Sequence, residues 1–330
     1  MTGGIIIEKY REFGFVNTKE MFKKAYNEKY AIPAFNFVCL EQMLAILDAC
    51  IETNSPFILQ ASANVRKYIG AVMVQRMAQA CVETIKQKGL IIPMALNLDH
   101  GVSLEECISC VDSGFSSVMI DGSALPYEKN IELTAEVVKY AHSQNVSVEG
   151  ELGILSGLED GILNEENKYT DPSMVKDFVN KTEVDSLAVS VGTSHGVVKF
   201  KAQNGKSLPS LRFDILKKIE EDLPGFPIVL HGASAILPHY VSMINQYGGK
   251  LEEAQGIPED QIITAVKSAV CKINIASDGW IAATAAIRKS LTENPAVIDP
   301  RKYLSSARKE MKDQYIRKIN DVFGSAGKAL

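Results

Sequence analysis

Short runs of apolar and β-branched residues alternate along the chain with longer stretches in which apolar residues recur at helical spacing. This pattern predicts eight strands, each followed by a helical stretch. The predicted strands are Ala31–Phe37, Pro56–Ser62, Pro93–Gly101, Ser116–Gly122, Val146–Gly153, Ser186–Gly196, Pro227–Gly232 and Val270–Ser277.

The intervening stretches predict the helices. Ser103 is a suitable N-cap, because Glu105 and Glu106 follow in the first turn, where the helix dipole favours acids. Ile154–Thr170 has no clear period. The other predicted helices are about Leu40–Thr53, a long helix from the second strand to about Lys88, about Glu128–Ser143, Ala282–Leu291 and a tail from Pro300.

Strands that alternate with helices imply a parallel sheet, and eight is the number that closes a barrel. The first strand ends Phe-Asn-Phe-Val-Cys, without the glycine-rich turn of a nucleotide-binding open sheet, so a (β/α)8 TIM barrel is favoured over that alternative. We expect residues 1–330 to form a single barrel domain with a short amino-terminal extension (about 1–16) and a carboxyl-terminal helical tail (about 300–330).

Composition narrows the class of protein. The formal net charge is −5 and basic residues form no long run, which argues against nucleic acid or an anionic membrane as a partner. The six cysteines are scattered among apolar residues, as in a reduced cytoplasmic protein. Cys107 and Cys110 form a C-x-x-C without the second pair that a zinc ribbon needs, so we expect buried thiols there.

Three of the five histidines lie at predicted strand ends, and each is followed by glycine. They are His100, His195 and His231. Active residues of such barrels lie at the carboxyl ends of the strands, where three neutral imidazoles would form an open catalytic zinc site. His142 and His239 lie in helical surroundings, and we expect them to be structural or exposed to solvent.

Acidic residues follow the same pattern. Asp99 directly precedes a proposed zinc ligand, Asp121 ends the fourth strand, and Glu149 and Glu151 lie on one face of the fifth strand. Asp121 and Glu151 have two interpretations of equal weight: a hydrogen-bond network that supports the histidines, or a transient contact with the metal.

Small and polar residues follow the last two strands, at the position where this fold often binds phosphate. Gly232, Ala233 and Ser234 follow the seventh strand, and Asn274 and Ser277 lie at the end of the eighth. Phosphate binding is compatible with these residues but does not follow from them alone.

Together these motifs resemble the class II fructose-bisphosphate aldolase family, from about residue 31 to 329. The matching segments are LDHG (98–101), SSVMIDGS (116–123), ELG followed by GLEDG (151–161), GTSHG (192–196), HGAS (231–234) and KINIAS (272–277). The resemblance implies a zinc-dependent (β/α)8 barrel, usually a homodimer or homotetramer, that cleaves a ketose bisphosphate into dihydroxyacetone phosphate and an aldehyde through an enediolate. A monovalent cation, Na+ or K+, near the phosphate is common in the family.

The resemblance also implies a role for each matching residue. Asp99 corresponds to the acid/base at the C4 hydroxyl, Glu159 to the group that moves the proton at C3, and Asn274 to the residue that steadies the enediolate. Asp121 and Glu151 match an alternative inner metal position. The positions that face the substrate or its phosphate are Asn36, Ser62, Gly196, Lys199, Gly232, Ser234, Ala276 and Ser277.

Several positions depart from the pattern common in enzymes that act on fructose 1,6-bisphosphate. Ala276 replaces an aspartate, as in the tagatose-bisphosphate branch, and Trp280 stands where some members have an arginine for the second phosphate. Ala124 and the pair Val38-Cys39 also differ. Arg66 or an arginine of a neighbouring subunit would then bind the second phosphate.

Fructose 1,6-bisphosphate is the default substrate, with tagatose 1,6-bisphosphate or another ketose phosphate as the alternative. A barrel metallohydrolase and a non-catalytic zinc barrel are alternatives of other classes.

Overall fold

The parallel strands close into a barrel in the order β1-β11-β10-β8-β5-β4-β3-β2, so the predicted (β/α)8 architecture is confirmed and the open sheet is wrong. The computed structural model describes residues 8–159, 162–164, 168–195, 210–251 and 256–329, with the backbone alone at 156–159, 162–164 and 195. The strands are β1 (Ile32–Asn36), β2 (Phe57–Ser62), β3 (Met94–Gly101), β4 (Ser117–Ile120), β5 (Ser147–Leu152), β6 (Ser156–Glu159), β7 (Ile162–Asn164), β8 (Ser186–Val189), β9 (Ser194–His195), β10 (Ile228–Leu230) and β11 (Val270–Ile275).

Helices follow the barrel strands and cover the outside of the sheet. They are α1 (Lys9–Glu12), α2 (Thr18–Glu28), α3 (Leu40–Thr53), α4 (Ala63–Ile69), α5 (Ala71–Gln87), α6 (Leu104–Asp112), α7 (Tyr127–Ser143), α8 (Pro172–Thr182), α9 (Phe213–Asp222), α10 (Pro238–Gln246), α11 (Glu259–Val266), α12 (Ser277–Glu293) and α13 (Pro300–Lys318), which continues into a π-helical turn (Ile319–Phe323). None of the helices described is long and apolar enough to span a membrane.

Two helices differ from the sequence expectation. The long helix after β2 is broken at Gly70, whose φ of +96° lies in a region that other residues rarely adopt, so α4 ends there and α5 begins. Helix α12 begins at Ser277, not near Ala282. Position 279, in its first turn, needs glycine, because a Cβ there would lie 2.0 Å from the Tyr315 hydroxyl of α13.

The described part of the amino-terminal segment packs against the barrel. Met21 and Phe22 of α2 pack against Ile32, Ile58 and Ala95, the first inward-facing residues of three strands. This helix therefore closes the end of the barrel at which the strands begin. Sequence periodicity did not predict α2, and the expected extension (about 1–16) includes Tyr10 and Phe15, which are both buried.

Asp185 links the closing helix to the barrel wall. Its carboxylate lies 3.0 Å from Nζ of Lys19 and 2.8 Å from Nε2 of His142, and it accepts a 2.8 Å hydrogen bond from the backbone N–H of Val148. Burial raises the pKa of Asp185, but the hydrogen bonds and the nearby positive charges outweigh burial and lower it below the ordinary value. His142 thus has the structural role expected for it, and His239 is exposed.

The Asp185→Asn variant should be less stable at neutral pH by about 2 kcal/mol, because a charged hydrogen-bond acceptor is lost. The pKa of Asp185 is lower in the folded chain than in the unfolded chain, where it is near 3.8, so the ionised carboxylate stabilises the fold above that pH. This contribution is lost as the pH falls through the folded pKa. Urea unfolding at pH 7 and at pH 3.5 should therefore show a difference from wild type that shrinks in acid. Asp222→Asn is the control, since the exposed pair of Asp222 with Lys218 contributes only about 0.5 kcal/mol. An equal loss at both pH values would contradict the assignment.

Candidate active site

Polar side chains project into the barrel at the carboxyl ends of β3, β5, β10 and β11. Glu149 of β5 contacts Lys272 of β11 at 2.6 Å, although these strands are not neighbours in the sheet. The contact therefore crosses the barrel interior. Residues two positions further along the same strands, Glu151 and Asn274, share the same face and lie closer to the mouth. The expected buried thiols Cys107 and Cys110 lie outside the barrel wall on α6.

Two of the predicted zinc ligands face each other at the mouth. Nε2 of His100 lies 2.8 Å from Nδ1 of His231, and the two rings meet edge to face. His100 has a φ of +49°, a left-handed conformation that is uncommon for a residue other than glycine. Such backbone strain occurs at ligand-binding positions, where the surrounding structure holds it.

Glu149 orients His231 from below. The Nε2 atom of His231 lies 2.8 Å from Oε1 of Glu149, whose other oxygen accepts the hydrogen bond from Lys272. Burial opposes ionisation, but Lys272 and His231 lower the pKa of Glu149 to about 2. An ionised carboxylate can only accept, so Nε2 of His231 carries the proton and Nδ1 presents its lone pair to the mouth. Burial and the neighbouring positive charges lower the pKa of His231.

Carboxylates surround the other side of His100. Its Nδ1 lies 3.1 Å from Oδ2 of Asp121 and 3.8 Å from Oε2 of Glu151. Burial disfavours the charged imidazole, but Asp121, Asp99 and Glu151 outweigh it and raise the pKa of His100 to about 10. Burial and the nearby acids raise the pKa of Glu151 well above its usual range, and the bond to His100 helps to lower that of Asp121.

These groups form two overlapping sets of ligand atoms. The donors of Asp99, His100 and His231 lie within 4.8 Å of one another, and so do those of His100, Asp121 and Glu151. Oε2 of Glu151 is buried and makes no hydrogen bond to the part of the chain that is described. Imidazole and carboxylate groups bind a divalent cation in their deprotonated forms, so binding at either set would release protons.

Asp99 lies beside the histidine pair and is held by two amides. Asn36 of β1 donates a 2.6 Å hydrogen bond to its Oδ2, and Asn274 of β11 donates a 3.0 Å hydrogen bond to its Oδ1. Nδ2 of Asn274 also lies 3.2 Å from Nε2 of His231, so this amide packs between the carboxylate and the ligand. The structure thus brings together three residues that the sequence predicted separately.

The segment that carries the third histidine reaches the same mouth. Gly232, which follows His231, has a φ of +60°, and a Cβ there would lie 2.6 Å from the carbonyl oxygen of Ser194. The backbone of β9 (Ser194–His195) also pairs with β6 (Ser156–Glu159), which forms a hairpin with β7. The side chains of His195 and Glu159, together with Gly196 and Lys199, lie outside the described residues.

Comparison with known proteins decides the family. The model of the family described as class II fructose-bisphosphate aldolase matches residues 16–328. The chain belongs to the class II fructose-bisphosphate aldolase family. A relative named fructose-bisphosphate aldolase from Treponema pallidum (strain Nichols) is 54% identical over 97% of this chain and 99% of its own length. A relative of the same name from Giardia intestinalis is 43% identical over 94% of this chain and 93% of its own length.

The fold agrees with a solved structure of an aldolase. The YdjI aldolase from Escherichia coli K12 superposes with a TM-score of 0.73 at 28% identity, covering 96% of this chain and all of that one. The chain is therefore an enzyme of the aldolase type, a lyase of a metal-dependent family, as its sequence motifs indicated.

The small residues expected to face the substrate in this aldolase line the same mouth. Ser62, Ser234 and Ser277 are buried at the ends of β2, β10 and β11, and Ala276 is half-buried. The hydroxyl of Ser62 accepts a 3.4 Å hydrogen bond from the N–H of Val65 and so also caps α4. Ser277 is the first residue of α12, whose amino-terminal end favours an anion.

Arg66 is not positioned to bind a second phosphate at the mouth. Its guanidinium donates to Ser109 of α6 and lies over the ring of Phe115, which precedes β4 and belongs to the opposite end of the barrel. Helix α4 runs back along the outside of the barrel from its cap at Ser62, and it takes Arg66 away from the opening. Trp280 lies in the first turn of α12 and is 41% exposed.

Sequence reasoning missed the buried residues that support the site. Glu149 was placed on the correct face, but its partner Lys272 could not be identified, because the two lie on strands far apart in sequence. Gln60 and Asn97 were not singled out at all. The signal was available: both are amides at alternate positions before Ser62 and Asp99, and therefore point into the barrel.

Proposed function

We propose that this protein is a zinc-dependent aldolase that reversibly cleaves fructose 1,6-bisphosphate into dihydroxyacetone phosphate and glyceraldehyde 3-phosphate. The observation that carries the proposal is the imidazole pair, with Nε2 of His100 and Nδ1 of His231 at 2.8 Å, beside the carboxylate of Asp99. The names of the curated relatives support fructose 1,6-bisphosphate over other ketose phosphates.

The residues present fit a divalent cation. His100 and His231 supply imidazole nitrogens, and His195 is proposed as the third ligand from its position in the sequence. Imidazoles suit zinc among the available metals, and the anchoring of His231 by Glu149 is a typical supporting contact. When bound, the cation supplies a Lewis acid that stabilises negative charge on the carbonyl and hydroxyl oxygens of the ketose. Glu151, with its buried oxygen, and Asp121 are proposed as an alternative inner position.

The proton transfers are assigned to two carboxyl groups, those of Asp99 and Glu159. Asp99 takes the proton of the C4 hydroxyl as the C3–C4 bond breaks, so the aldehyde forms and the bonding electrons remain on the three-carbon fragment as an enediolate. Glu159 then delivers a proton to C3, which completes dihydroxyacetone phosphate. Asn274 is proposed to donate toward the enediolate, which its position beside Asp99 supports, and Asn36 holds the other oxygen of Asp99.

The phosphate is proposed to lie over the loops that follow β8, β10 and β11. Gly196, Lys199, Gly232, Ser234 and Ser277 would provide backbone and side-chain donors, with Ser62 and Ala276 at the edge of the substrate and a monovalent cation nearby. We expect a homodimer or homotetramer in the cytoplasm. The second phosphate would then be bound by an arginine of a neighbouring subunit, since Arg66 is engaged elsewhere.

A cleavage assay tests the proposal. Purified protein is given fructose 1,6-bisphosphate, tagatose 1,6-bisphosphate or fructose 1-phosphate, and dihydroxyacetone phosphate is measured by coupled reduction. We expect the fastest cleavage with fructose 1,6-bisphosphate, loss of activity after chelation, and recovery when zinc is added. Undiminished cleavage without metal would overturn the mechanism. Faster cleavage of the tagatose epimer would overturn the substrate assignment alone, and release of inorganic phosphate without triose would instead indicate a metallohydrolase.

A further inference from the structure

Three buried amides form a continuous hydrogen-bonded chain through the barrel interior to Asp99. Asn97 of β3 donates to Oε1 of Gln60 at 2.9 Å, and Gln60 of β2 donates from Nε2 to Oδ1 of Asn36 at 3.1 Å. Asn36 of β1 then donates to Oδ2 of Asp99 at 2.6 Å. All four side chains are buried, so solvent does not compete for these bonds.

Every bond in this chain points the same way. An amide side chain can turn over and exchange its oxygen for its nitrogen, but each turn here would place two acceptors or two donors against each other. If Asn36 turned over, its oxygen would face the carboxylate of Asp99, so the N–H of Gln60 keeps Asn36 in the donating orientation. Asn97 acts on Gln60 in the same manner. Aligned hydrogen bonds also strengthen one another in an interior of low dielectric.

Packing alone does not account for these residues. Barrel interiors are usually filled by branched apolar side chains, and a buried polar group is costly unless its hydrogen bonds are made. Oδ1 of Asn97 is buried and has no hydrogen-bond partner among the residues that the structure describes. Asn97 therefore brings a cost that an apolar residue would avoid, and the hydrogen bond it makes to Gln60 serves orientation.

We propose that Gln60 and Asn97 are positioning residues that hold the carboxylate of Asp99 against the C4 hydroxyl of the substrate. Neither side chain bonds directly to Asp99, and both act through Asn36. The inference rests on the proposed function, in which Asp99 moves the C4 proton. That proton takes part in carbon–carbon cleavage, whereas hydrogen exchange at C3 of dihydroxyacetone phosphate does not involve C4 and needs only the cation and the acid at C3.

The experiment compares those two reactions in Gln60→Met and Asn97→Ala. Methionine keeps the approximate length of Gln60 but removes both hydrogen bonds. We expect kcat for cleavage to fall by about 10- to 100-fold in Gln60→Met, because a displacement near 1 Å has effects of that size, with a smaller fall in Asn97→Ala. The KM, the zinc content and the rate of C3 hydrogen exchange in heavy water, followed by proton NMR, should stay near wild type.

The double variant of Gln60 and Asn97 distinguishes amides that act in series from two substitutions that act independently. If Asn97 acts only through Gln60, the combined variant should be no slower than Gln60→Met, whereas independent defects would multiply. Ile58→Val is the matched control, since Ile58 is a buried inward-facing residue on the same strand and belongs to the apolar layer below. It should keep both rates. If Gln60→Met does not fold, Asn97→Ala is judged by the same criteria.

Parallel loss of cleavage and exchange would overturn the proposal, because it would indicate a general structural or metal defect. Wild-type cleavage in both variants would overturn it as well. The Asp99→Asn variant shows whether the amide chain alone or the role of Asp99 itself is wrong. If Asp99→Asn loses cleavage while the amide variants keep it, only the chain is refuted, and if Asp99→Asn cleaves normally, the role of Asp99 falls together with the chain.

Discussion

Replacing His231 with alanine is expected to lower kcat/KM for cleavage by at least about 10³-fold and to reduce the bound metal. The reason is the loss of a cation that contributes several kcal/mol of transition-state stabilisation. Glu149 holds the other nitrogen of His231 at 2.8 Å, so Nδ1 of this imidazole is presented to the mouth, and alanine removes that nitrogen.

The variant should still fold. Glu149 keeps its 2.6 Å contact with Lys272, so the substitution leaves no unpaired buried charge. Metal content by mass spectrometry, initial cleavage rates and thermal unfolding should be measured on the same preparation. His239→Ala is the matched control, because His239 is exposed on α10. Normal activity with a full complement of metal in His231→Ala would show that His231 is not a ligand.

Asp99→Asn should lower kcat for cleavage by about 10²- to 10⁴-fold, the range usual for loss of a general acid/base. Asparagine has nearly the same shape but cannot take the C4 proton. Hydrogen exchange at C3 of dihydroxyacetone phosphate should continue, because the exchange does not need that group. The pattern to be measured is thus a loss of one partial reaction with retention of the other.

The local environment adds a second expectation for this variant. Asn36 and Asn274 each donate to one oxygen of Asp99, but an asparagine offers only one acceptor oxygen and one NH2 group. One of the two amides must then lose its bond or turn over. Asp99→Asn should therefore also be less stable, by about 1–3 kcal/mol, in denaturant unfolding. Loss of exchange together with cleavage would indicate a displaced metal site instead.

The sequence predicted the barrel well because each strand is a short apolar run that ends in a polar motif. Most predicted strands are longer than the observed ones by no more than a few residues at each end, for example Pro56–Ser62 against Phe57–Ser62. The extra residues are often proline or glycine, at which the strand boundary is poorly defined. The strand predicted as Ser186–Gly196 was too long, since β8 ends at Val189 and Ser194–His195 pairs with the hairpin instead. The hairpin itself lies in a stretch that showed no period.

Part of the site could also be predicted from the pattern within single strands. Alternation along a strand indicates which residues face inward, so Asp99, His100, His231 and Asn274 could be placed at one mouth from their positions. Which inward residues touch depends on strand order and height in the barrel, and a pattern within one strand does not contain that information. The contacts of Lys272 with Glu149 and of Gln60 with Asn97 join different strands and became visible only in the folded chain.

Both described ends of the chain lie at the closed end of the barrel. Val16 donates to the carbonyl of Met94 at the start of β3, Gly327 donates to that of Thr53, and Nζ of Lys24 reaches the carbonyl of Lys328. A label attached at residue 16 or residue 327 would therefore lie on the face away from the opening that receives the sugar. Enzyme tethered to a solid support at either of these positions should keep free access for substrate.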